Sequence, residues 1–64
     1  MKLSNTIKKL AIDKGVKMKD LATALDKSTS GFSHTLKLDD YRVSELEKIA
    51  TTLGCKLVID FVEE

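Results

Sequence analysis

The chain has 64 residues, 42% hydrophobic and 33% charged, with a formal net charge of +1. That length allows one domain, and a domain so small buries only about 60% of the surface its unfolded chain exposes, so a lone monomer is marginal. One cysteine and one histidine exclude a disulfide framework and a structural zinc site, and no apolar run approaches a membrane span or a secretion signal, so a cytoplasmic protein with no cofactor and no membrane partner is expected.

In chain order, the first predicted helix runs from about Asn5 or Thr6 to Lys14. Leu3, Ile7, Leu10 and Ala11 share one face, and Gly15 supplies a left-handed stop. The second covers about Met18–Leu25, where Met18, Leu21, Ala22 and Leu25 fall at i, i+3, i+4 and i+7. The third covers about Thr29–Lys37, capped by Ser28, with Phe32 and Leu36 one turn apart on its inner face. Gly31 inside it costs roughly 1 kcal/mol against Ala, which is tolerable where the backbone approaches either the second helix or a ligand. The few residues between the second and third helices force a steep crossing, the geometry of a helix-turn-helix. Residues 38–43 read as a polar loop with apolar anchors. A fourth helix follows, with Ser44 and Glu47 as a capping box, Leu46, Ile49, Ala50 and Leu53 on its inner face, and Gly54 as its stop.

After Gly54 the period changes to two. Cys55, Leu57, Ile59 and Phe61 alternate with Lys56, Val58, Asp60 and Val62, a strand signal with no partner strand elsewhere in the chain. Pairing with the same segment of a second copy about a two-fold axis satisfies such an edge. This predicts a homodimer joined through Leu57, Val58, Ile59, Phe61 and Val62; a fifth helix or a frayed tail is the competing reading. The domain division expected is 1–54 for the helical unit and 55–64 for the dimerisation strand.

The charge is unevenly spread. Residues 1–37 hold eight lysines against three aspartates, net +5, while residues 38–64 hold three cations against seven carboxylates, net −4. The basic half contains the helix-turn-helix, a one-sided surface suited to a polyanion. The outer face of the third helix carries Thr29, Ser30, Ser33, His34 and Lys37, short hydrogen-bonding groups and a cation that suit the major groove of double-stranded DNA. Lys17, Lys19, Lys27, Lys37 and Arg42 surround that helix in sequence and are the candidate phosphate contacts. No Ser–His–Asp or metal-ligand spacing accompanies His34, so no enzyme is expected. Cys55 reads as a small apolar residue. Tyr41 fits either the core or a phosphate.

Met18–Cys55 resembles the phage-repressor and Cro-like helix-turn-helix family, the XRE family. The likeness rests on Leu21-Ala22 and Leu25 in the second helix, Ser28 as the cap of the third, Phe32 at its buried position, and Leu46-x-x-Ile49-Ala50-x-x-Leu53-Gly54. Met18 stands where the family commonly has Gln. Asp26 stands where a turn Gly is usual, and Asp tolerates a left-handed backbone. Lys37-Leu38-Asp39-Asp40 replaces the usual Asn-Gly after the third helix. The resemblance implies a mainly α, four-helix lambda-repressor-like domain with Thr29, Ser30 and His34 at base-reading positions, to which the C-terminal strand adds dimer pairing. It implies a transcription regulator binding a pseudo-palindromic operator, and repression by blocking polymerase is the simplest output for so short a chain. The alternative it leaves open is an antitoxin-like module that neutralises a protein partner.

Overall fold

The computed structural model describes residues 2–62, and Met1, Glu63 and Glu64, which the expected domain ranges include, lie outside the described residues. Four helices follow in chain order: α1 (Ser4–Lys14), α2 (Met18–Ala24), α3 (Thr29–Leu38) and α4 (Val43–Thr52). Each boundary falls within two residues of its expected place. The core follows the apolar stripes read from the spacing: Ile7 and Ala11 of α1, Leu21 and Ala22 of α2 with Leu25 beyond it, Phe32 and Leu36 of α3, and Leu46 and Ile49 of α4 with Leu53 beyond it; Tyr41 joins it, and Leu3, Leu10 and Met18 are partly buried against it. Leu21 and Phe32 are the largest fully buried side chains, so the core is tightest where the helix-turn-helix folds on itself. α2 packs against both α3 and α4.

Three helices stop by the same device. After α1, Gly15 adopts φ 67°, its N–H donates to Ile12 O, and the Val16 N–H returns to Ala11 O at 2.9 Å. After α4, Gly54 takes φ 68° and the Cys55 N–H returns to Ala50 O at 2.8 Å. After α2 the left-handed position is occupied by Asp26 at φ 55°, with the Lys27 N–H on Ala22 O at 2.9 Å. These are Schellman closures, which satisfy carbonyls the helix leaves open. The aspartate takes the left-handed conformation expected of it.

α1 begins with a cap borrowed from far along the chain. Leu3 caps it without a side-chain bond of its own. Asp39 Oδ1 accepts instead from the Leu3 N–H at 2.8 Å and the Ser4 N–H at 3.0 Å. Asp39 is itself left-handed, φ 53°, and ends α3, so one residue closes one helix and opens another. Partial burial works to raise its carboxyl pKa, but the amides of Leu3 and Ser4 outweigh that and hold it below its ordinary value. Ser4, buried, donates from Oγ to Leu36 O at 2.6 Å and lies 2.6 Å from Tyr41 Oη. With the single serine proton on the carbonyl, the tyrosine hydroxyl donates to Ser4 Oγ. Tyr41 is thus a core residue, and burial pushes its pKa up. Tyr41 anchors the α3–α4 loop, whereas Leu38 and Val43 are exposed.

One expectation is corrected. α4 starts one residue before Ser44, at Val43, and the Ser44–Glu47 capping box does not form. The carboxylate that turns back is Glu45, whose Oε1 accepts from the Arg42 N–H at 3.0 Å. This register wins because Glu45 gains a second partner across the fold: its Oε2 lies 3.0 Å from Lys27 Nζ. The strand expected in the tail is not confirmed. Among the described residues no strand is formed, and residues 55–62 carry neither helix nor strand. A ladder needs a second strand, and one chain does not supply it. Of the expected pairing residues, Leu57 is partly buried against the helical core. Val58, Ile59, Phe61 and Val62 are 76%, 57%, 96% and 83% exposed.

Candidate nucleic-acid interface

α3 has two faces of opposite character. Phe32, Thr35 and Leu36 are buried, while Thr29, Ser30, Ser33, His34 and Lys37 are all exposed. The N-terminus of α3 is fixed by Ser28, whose Oγ accepts from the Gly31 N–H at 3.0 Å and lies 3.3 Å from Ser30 Oγ. A Cβ on Gly31 would meet that same Ser28 Oγ at 3.1 Å. The glycine therefore makes room for the cap, a neighbour sequence reasoning did not consider.

The five phosphate candidates divide four to one. Lys17 and Lys19 lie at the start of α2, Lys37 in the last turn of α3, and Arg42 at the cap of α4, and all four are exposed. Lys27, in the turn between α2 and α3, is committed inside the molecule. Its ammonium donates to Thr35 Oγ1 at 2.9 Å and pairs with Glu45 at 3.0 Å. Thr35 Oγ1 in turn donates to Gly31 O at 3.2 Å. The chain Glu45–Lys27–Thr35 ties α4, the turn and α3 together. Half-exposed pairs of this kind contribute about 0–1 kcal/mol each, so the chief consequence is orientation. The Arg42 amide first, and then Lys27, hold the Glu45 carboxyl below its ordinary value.

Two clefts flank α3. On the α4 side, His34, Thr35 and Leu38 of α3 share a cleft with Lys27, Asp40, Arg42 and Glu45. This brings together His34 and Arg42, assigned separate roles from the sequence. On the α1 side, Ser33 and Lys37 share a cleft with Lys8, Ile12 and Met18. Lys8, one of the eight lysines of the basic half, is not among the phosphate candidates because α1 is remote from the turn in sequence. The same remoteness hid the Ser4–Asp39–Tyr41 network, which holds the end of α3 against the start of α1; no periodicity reports a pairing across some 35 residues.

Among the described residues, no group of three or more His, Cys, Asp or Glu is placed to hold a metal ion, and no helix is long and apolar enough to cross a membrane. Four short helices, a capped α3 presenting one polar face, and a tight turn joining it to α2 define a helix-turn-helix DNA-binding domain. The family model of the Cro/C1-type HTH DNA-binding domain matches residues 6–63. The chain belongs to that family, in agreement with the XRE-type resemblance of its second to fourth helices, and is a DNA-binding domain of the kind found in transcription regulators. No curated protein and no solved structure shows a significant match to it.

Proposed function

We propose that the chain is a sequence-specific transcription repressor that binds a pseudo-palindromic operator as a homodimer. The observation that carries this reading is the exposed polar face of α3, Thr29, Ser30, Ser33 and His34, on a helix whose opposite face is locked into the core. Hydroxyls at the first turn reach base edges, and a Thr methyl packs on a thymine methyl. Lys17, Lys19, Lys37 and Arg42 contact phosphates and set the docking register. The face has no Arg, Asn or Gln, the side chains that bind G or A with two hydrogen bonds. Selectivity in one copy is therefore modest and is completed by DNA shape and by the spacing of two copies.

Residues 1–54 form the reading unit and residues 55–64 the pairing segment, through Leu57, Val58, Ile59, Phe61 and Val62. Two copies place their α3 helices in successive major grooves about 34 Å apart. Occupancy of such a site excludes polymerase without any further activity, and the role places the protein with the nucleoid in the cytoplasm. The test is selection from random duplex DNA, followed by affinity measurement over a salt series. An enriched palindrome with salt-dependent affinity is expected, and Thr29→Ala with Ser30→Ala changes the selected bases. No enrichment in the wild type, or identical selection by the variant, contradicts the reading.

A further inference from the structure

The two clefts beside α3 differ in charge. On the α4 side, Lys27 and Arg42 are balanced by Glu45 and Asp40, and one of those pairs is in contact at 3.0 Å. On the α1 side, an open cleft of about 460 Å³ is lined by two lysines, Lys8 and Lys37, and by no carboxylate. Like charges brought into one cleft repel, and an anion between them reverses the sign of the interaction. The rest of the lining narrows the choice of anion. Ser33 lies one turn before Lys37 on the same side of α3 and offers a hydroxyl donor. Ile12, which is 80% exposed, and the half-buried Met18 give the cleft an apolar floor. A small free anion makes no use of that floor, whereas the carbon edge of a deoxyribose does.

We propose that this cleft seats one sugar–phosphate unit of the DNA backbone, with Lys8 and Lys37 bridging the phosphate, Ser33 donating to it and the sugar resting on Ile12 and Met18. The inference rests on the DNA reading above and adds a contact from α1, outside the helix-turn-helix. It follows from position: Ser33 and Lys37 belong to the exposed α3 face that carries Thr29, Ser30 and His34 and also line the cleft on its α1 side, so a duplex receiving that face runs one strand along that side. The contact fixes how α3 enters the groove and carries no base information.

The test compares wild type, Lys8→Gln, Lys37→Gln and the double variant on the selected site and on a scrambled duplex, over a salt series. Lys48→Gln, an exposed change on α4, is the control. Lys8→Gln is expected to weaken both duplexes by the same factor. It also flattens the slope of log affinity against log salt by up to about 0.9, the value for one phosphate. The selected bases stay unchanged, and Lys37→Gln has a smaller effect in the Lys8→Gln background than alone, because the two share one phosphate. If Lys8→Gln keeps the wild-type slope, or behaves as Lys48→Gln does, the cleft is not a backbone site, while wild-type binding still upholds the DNA reading. If the wild type itself shows no duplex affinity, both fall. Thermal stabilisation by inorganic phosphate at constant ionic strength, equal to that given by duplex, assigns the cleft to free anions and overturns the proposal.

Discussion

The helical body and the tail use apolar residues in opposite ways. In the body, Leu21, Phe32 and Ile49 are essentially inaccessible, and each helix end has a bonded partner within the chain. In the tail, Phe61 is 96% exposed and Val62 83%. The body meets its structural needs within one copy, while the tail carries apolar groups that one copy leaves in water. Exposed apolar surface of this density suits an interaction segment, and in the proposed reading a second copy covers it.

The largest effect expected is in the body. Phe32→Ala removes a fully buried ring, and a cost of about 3–5 kcal/mol leaves so small a domain largely unfolded, as a thermal melt followed by circular dichroism will report. Phe61→Ser in the tail leaves the melt of the dilute monomer within about 0.5 kcal/mol but raises the concentration needed for dimers. Equal effects from the two would erase the comparison. Ser4→Ala is expected to cost about 1–3 kcal/mol, because the Tyr41 hydroxyl and the Leu36 carbonyl each lose a buried partner.

Acid sharpens the contrast further. Asp39 and Glu45 both have folded-state pKa values below their ordinary ones. Their contribution is therefore present above the unfolded-state values and is lost as pH falls through the folded ones. Both act in the body, so acid lowers the melting temperature of wild type and tail-deleted chain alike, and Asp39→Asn flattens that limb. The smallest effect concerns the two left-handed aspartates. Asp26→Gly relieves a left-handed backbone and stabilises by about 1 kcal/mol or less. Asp39→Gly relieves the same conformation but destabilises, because the cap of α1 is lost. A shared sign for the two would contradict the capping role.

Most of the body was legible in the sequence because its signals are local. The stripe from Leu21 to Leu25, the Ser28 cap and the stops at Gly15 and Gly54 act within one or two turns. Asp26 was read correctly in the place of a turn glycine for the same reason. What the sequence leaves hidden is tertiary. Ser44 and Glu47 have the spacing of a capping box, but Glu45 prevails because Lys27 waits across the fold. Lys27 has the composition of a phosphate contact and is engaged by Thr35 and Glu45. Tyr41 fits core or phosphate by sequence, and Ser4, 37 residues away in the chain, holds it in the core. The strand expected at 55–62 depends on a second chain, so the fold of one copy leaves it without a ladder.

The division of labour between body and tail is tested most directly by the binding stoichiometry of two chains on the selected operator: wild type, and a chain lacking residues 58–64 that keeps Leu57 on the core. The account predicts that wild type binds as two copies in one cooperative step. The shortened chain, still helical, binds each half-site independently and more weakly. Equal affinity and equal cooperativity for the two chains would contradict it.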